Sequence, residues 1–174
     1  MNKFWKKYRM EIITITLMMV IGTCMHFVCD LVGDESVVKV LGVVFPVNET
    51  SWEHMKMLWY PFLTAGIIWS VKKKDSGYFG GFVISGFVAM LTMIGLFAFY
   101  QSFTKTSVLA LDIPLFMLVI IFCAMLGFLL AKQEWTKQST TVWIVCAVII
   151  TAGIIYLTYY PGPGYLFLDD SGLE

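Results

Sequence analysis

Charge is scarce in this chain: 14% of its 174 residues are Asp, Glu, Lys or Arg, against 59% hydrophobic. Twelve basic and twelve acidic residues cancel to a formal charge of zero. Net charge therefore says nothing about partners, and no nucleic-acid partner is expected. Histidine is rarer still, with two residues, and no His-Glu-x-x-His pattern is present, so the zincin signature is excluded. None of the four cysteines (Cys24, Cys29, Cys123, Cys146) has the Cys-x-x-Cys spacing of a redox or zinc motif. Cys123 and Cys146 fall in apolar runs, where a free cysteine behaves as a small hydrophobe. Internal repeats and low-complexity segments are absent as well.

What the chain does have is oil. Mean hydropathy is +0.79, and five apolar runs are each long enough to cross a hydrocarbon layer of ~30 Å at ~1.5 Å per helical residue. They cover Ile12–Val32, Trp52–Val71, Tyr78–Tyr100, Ile113–Ala131 and Thr141–Tyr160. The first run is too long for a secretory h-region and no Ala-x-Ala-like site follows it, so it is expected to stay as a helix. The expected fold is an all-α integral membrane bundle of five transmembrane helices, one domain over residues 1–174. The lipid bilayer is the expected environment, with the protein multi-pass in a bacterial cytoplasmic membrane.

The few charges are sorted. Lys3, Lys6, Lys7, Arg9, Lys72, Lys73, Lys74, Lys132 and Lys137 flank alternate run ends and account for nine of the twelve basic residues. With five spans these segments share one side, and the positive-inside rule places the N-terminus in and the C-terminus out. Most acids then map to the outer side, where a locally acidic face would attract cations. In the third run, Gly77, Gly81, Ser85 and Ala89 stand four apart. Such a small-residue stripe allows close helix approach, within this bundle in the first place, or for association with another helix.

One segment breaks the oily pattern. Pro46-Val47-Asn48-Glu49-Thr50-Ser51-Trp52-Glu53-His54-Met55-Lys56 gathers two carboxylates, an imidazole, an amide, an indole and an ammonium. Thr50-x-x-Glu53 spells a capping box, so the second helix is expected to start within Asn48–Trp52. Capping explains Glu53 and one of Asn48, Thr50 and Ser51; it leaves Glu49, His54 and Lys56 unexplained. Glu53 and Lys56 are also spaced for an i,i+3 ion pair.

His26 and Asp30 lie in the first run, four apart and hence on one helix face. If that helix ends near Val32, His26 sits roughly 9 Å below its end. An ionisable residue at that depth is costly and marks function unless it locks packing. Asp112 opens the fourth run, where an acid serves as cap or dipole partner; Asp169 and Asp170 lie in the tail.

The topology brings these groups to one layer. His26, Asp30, Glu49, Glu53 and His54 are the candidate catalytic set. His26, His54 and Glu49 are the candidate metal ligands, for zinc or another divalent cation with N/O donors. Asn48, Trp52, Lys56 and Asp112 are candidate substrate-binding groups, with Asn48 and Lys56 suited to an anionic group.

These motifs resemble those of a family of small bacterial integral membrane proteins with no assigned function. The carriers are His26-Phe27, the Pro46–Lys56 segment, and Leu166-Phe167-Leu168-Asp169. The family pattern also has a His before the last stretch, where this chain has Gly164-Tyr165. The resemblance implies a site and no reaction. Three readings follow: a metal-dependent or hydrolytic site acting on a lipid, lipid-linked or peptide substrate; a cation- or proton-handling transporter; or an accessory subunit whose polar cluster pins the outer loop.

Overall fold

Eight α-helices and a short 3-10 turn carry the described residues. A computed structural model describes residues 3–106 and 108–167, and among these no β-strand element occurs. Five helices are long: α1 (Lys3–His26), α4 (Ser51–Lys73), α5 (Gly77–Thr104), α6 (Leu109–Leu130) and α8 (Thr140–Tyr159). Three are short: α2 (Val28–Val32) and α3 (Glu35–Leu41) in the first long connection, and α7 (Glu134–Gln138) between α6 and α8. Four segments are long and apolar enough to cross a membrane: Trp5–His26, Gly77–Thr104, Ala110–Leu130 and Thr140–Tyr159. The α4 helix, expected as the second span, is less apolar because Glu53, His54 and Lys56 occupy its first two turns.

The long helices run up and down, so their ends alternate. One end gathers the start of α1, the α4–α5 turn and the α6–α8 connection, and is called the basic end below. There Lys74 adopts a left-handed conformation (φ 54°) to close α4, and Lys137 pairs with Asp75 at 3.5 Å across two connections. The opposite end carries the Pro46–Lys56 segment.

The α5 helix is the centre of the bundle, packed against α4, α6, α7 and α8. Its glycines make this possible. A Cβ on Gly81 would lie 2.5 Å from the Gly127 carbonyl oxygen of α6, and one on Gly77 would lie 2.4 Å from that of Ala131. Gly77, Gly81, Ser85 and Ala89 are all buried. The small-residue stripe is therefore consumed by α6, and the expectation that it serves association with another copy is corrected: its face is already covered. Gly81→Val is expected to lower the unfolding free energy by about 1–3 kcal/mol, as overpacking does, because backbone atoms cannot step aside. Gly95→Ala, where a Cβ meets nothing within 4 Å, is expected to be neutral or stabilising. Denaturation followed by circular dichroism in detergent separates the two.

The start of the chain departs from expectation. The first helix does not continue to Val32; α1 stops at His26, and Phe27 N–H bonds to the Cys24 carbonyl at 3.2 Å in a tightened last turn. His26 is thus at a helix end and not a turn and a half below it. Lower down, Pro61 removes the N–H that would bond the Met57 carbonyl. Gly22 lets α1 approach that freed oxygen, which would be 2.8 Å from a Cβ.

Candidate functional site

The polar segment divides into two halves with different chemistry. The first half is closed. Glu53 and Lys56 face each other on the first turns of α4, with Lys56 Nζ 2.6 Å from Glu53 Oε2. Lys56 is fully buried and Glu53 nearly so. The ammonium also donates to the carbonyls of Gly42 (2.6 Å) and Phe45 (3.3 Å). The carboxylate accepts from Val47 N–H (2.9 Å) and from the Thr158 hydroxyl of α8 (2.9 Å). Each buried charge thus has its counter-charge and further hydrogen bonds, the condition under which such a pair survives burial. All of these partners but one are loop backbone. The pair ties the α3–α4 loop to α4 and α8.

Two tyrosines add to the tie: Tyr60 donates to the Val43 carbonyl and Tyr159 to that of Lys39. By sequence Tyr60 and Tyr159 fit an interfacial belt and not a fastening of the loop, and Thr158 has no assigned role. Tyrosines near run ends read as interfacial belts, and a lone Thr in an apolar helix carries no signal.

The helix start is built as the capping box foresees, with one exchange. Thr50 Oγ1 accepts from Glu53 N–H at 3.3 Å. Glu53 does not return the bond to Thr50; it reaches back to Val47, while Thr50 N–H and hydroxyl donate to Asn48 Oδ1 (3.1 and 2.8 Å). Asn48 Oδ1 is engaged in that turn.

The second half is open. His26 from the end of α1, His54 from the first turn of α4 and Glu49 from the loop converge. Their ligating atoms lie within 4.8 Å of one another. Both imidazole Nε2 atoms are 3.7 Å from Glu49 Oε2, and the two rings stand edge-on at 5.1 Å. A separation of 3.7 Å is beyond a hydrogen bond. It is close to the edge of about 3.3 Å between two ligands on a tetrahedral zinc with Zn–N near 2.0–2.1 Å. His54 Nδ1 lies 2.8 Å from the Thr50 carbonyl. A carbonyl only accepts, so Nδ1 carries a proton, and in the neutral imidazole the Nε2 lone pair is then on the side of Glu49. That is how metal-binding histidines are oriented by a second partner. The His26 and His54 side chains are 21% exposed and Glu49 47%, so the triad is reachable from the surface. Phe27 packs on His26 and Phe97 on His54.

A family model of unknown function, DUF6512, matches residues 1–172. The chain belongs to DUF6512. No curated protein and no solved structure matches it.

The remaining candidates in this DUF6512 chain separate from the triad. Glu53 and Lys56, expected as a catalytic group and a substrate-binding group, are instead spent on the loop: burial and a full set of partners leave neither open to a ligand. Asp112 accepts from the Tyr100 hydroxyl. It stands within α6, which starts four residues earlier than expected, at Leu109. Trp52 packs on Phe167 with ring centroids 5.6 Å apart. The side chain of Asp30 lies outside the described residues, as do Leu168, Asp169 and Asp170.

Proposed function

We propose that this DUF6512 chain is a five-span membrane protein, N-terminus in and C-terminus out, whose His26, Glu49 and His54 bind a divalent cation, zinc before others, at the outer end. The observation that carries this reading is the pair of imidazole nitrogens equidistant from one carboxylate oxygen, with His54 held in the ligating tautomer. The five-span count is supported by α4 packing between α1 and α5 and against α8. Its only buried charges are Glu53 and Lys56, which neutralise each other.

Two histidines and one carboxylate leave a fourth position on a tetrahedral zinc. That set suits a metal that lowers the pKa of bound water and polarises a carbonyl or phosphoryl oxygen. Glu53 is not free to act as an accompanying base; a cation held by His26, Glu49 and His54 would itself supply the acidity that activates a bound water. The substrate class is a lipid, lipid-linked or peptide molecule reaching the outer layer.

A second reading, the polar segment as a fastener for the loop, is favoured by the Glu53–Lys56 pair. It accounts for those two residues and leaves His26, Glu49 and His54 without a role. A transporter is less well supported, because Glu53 and Lys56 are the only buried charges among the described residues and no charged path leads inward from them.

The experiment is metal analysis of detergent-purified protein. About one zinc per chain is expected, as a three-ligand site requires, and loss of that zinc in both His26→Ala and His54→Ala. Zinc retained undiminished in His54→Ala contradicts the assignment.

A further inference from the structure

A groove of about 390 Å³ runs along the outside of the bundle between α1 and α4. Leu17 and Ile21 form one wall, Ala65 and Ile68 the other, and Phe45 of the α3–α4 loop roofs one end. The lining reaches from Met10 to Met25 of α1, about 22 Å at the rise of an α-helix. That is the scale of one extended fatty-acyl chain.

The polar atoms in its walls are already engaged. Trp69 Nε1 donates to Thr14 Oγ1 at 2.9 Å, Thr14 Oγ1 donates to the Met10 carbonyl at 2.9 Å, and Tyr60 donates to the Val43 carbonyl. The groove therefore offers an apolar surface to its occupant. The exception is at the basic end, where Lys72 lines the groove. Its ammonium lies 5.9 Å from the Trp69 ring and has no carboxylate partner among the described residues. Lys73 lies over the same ring system at 5.4 Å. A long apolar slot ending in an unneutralised ammonium is complementary to one kind of molecule.

We infer that the α1–α4 groove holds an acyl chain of an anionic glycerophospholipid, with its phosphate at Lys72. The inference rests on the membrane reading of the chain and is independent of the metal site. The slot excludes water along its length, and Lys72 selects the headgroup charge. Polybasic contacts of this type favour anionic lipid by about a fivefold factor per lysine.

The test uses the full chain in mixed micelles of equimolar phosphatidylglycerol and phosphatidylcholine, with retained lipid counted by native mass spectrometry. One lipid per chain is expected to survive, phosphatidylglycerol over phosphatidylcholine by about fivefold. Lys72→Gln is expected to keep the lipid and lose the preference. Ala65→Phe and Thr64→Trp, which put a ring into the groove from its wall and its exposed rim, are expected to lose the lipid. Phe122→Trp, on an exposed face of α6, is expected to change nothing. Thr64→Trp carries the test should Ala65→Phe not fold. Equal retention of the two lipids by the unaltered chain, an unchanged preference in Lys72→Gln, or full occupancy in Thr64→Trp would overturn the inference. Because zinc is not involved, failure here leaves the metal site standing, and failure of the metal site leaves this result readable.

Discussion

Lys56→Met is expected to lower the unfolding free energy by about 3–5 kcal/mol, the cost of leaving one partner of a buried ion pair uncompensated. Methionine fills nearly the same space, so little of the loss comes from a cavity. What remains is a Glu53 carboxylate, 2% exposed, held against Val47 N–H and the Thr158 hydroxyl with no positive charge. The carbonyls of Gly42 and Phe45 lose their donor at the same time. The double variant Lys56→Met/Glu53→Gln is expected to recover much of the loss, since it removes both charges and keeps an acceptor for Val47. Chemical unfolding in detergent measures all three proteins. A single-variant loss below about 1 kcal/mol would place the pair in the class of solvated surface bridges, against its burial.

The open half is expected to behave in the opposite way. His26, Glu49 and His54 make no hydrogen bonds to one another, since both of the Glu49 separations are 3.7 Å. Alanine at any of them is expected to change metal-free stability by less than about 1 kcal/mol, since all three side chains are partly exposed and the Thr50 carbonyl that meets His54 Nδ1 keeps the backbone N–H of residue 54. With zinc at a hundredfold excess over its dissociation constant, the unaltered protein is expected to gain about 2.7 kcal/mol. A chelator removes that gain, and each of the three alanine variants lacks it. Thermal melts with and without zinc read both effects in one series. A zinc-dependent gain that persists in Glu49→Ala would remove the carboxylate from the site. A large metal-free loss in His54→Ala would instead favour a packing role.

The contrast between the halves shows what the sequence carried and what it did not. Helix periods, the Thr50 cap and the inward stripe of small residues are local properties, and the long helices follow them closely. The convergence of His26 with Glu49 and His54 was legible because antiparallel topology brings the end of α1 and the start of α4 to one layer. The fate of Glu53 and Lys56 was not. Their i,i+3 spacing dictates a pair, but whether that pair is buried depends on Thr158, 105 residues away, and on the backbone of the loop. Spacing holds no information about either.

Asp112 is a similar case: its partner Tyr100 lies across the α5–α6 connection, and α6 begins at Leu109, before the Ile113 start expected for the run. The end of α1 at His26 had no sequence signal, since Phe27–Val32 is as apolar as what precedes it.

The convergence is the central claim, and zinc-edge X-ray absorption on the purified, zinc-loaded protein tests it most directly. The account predicts two imidazole nitrogens at about 2.0–2.1 Å and carboxylate or water oxygen at about 2.0–2.2 Å, with one imidazole lost in His26→Ala and one in His54→Ala. A zinc shell containing sulfur, or one that keeps both imidazoles in either variant, would contradict it.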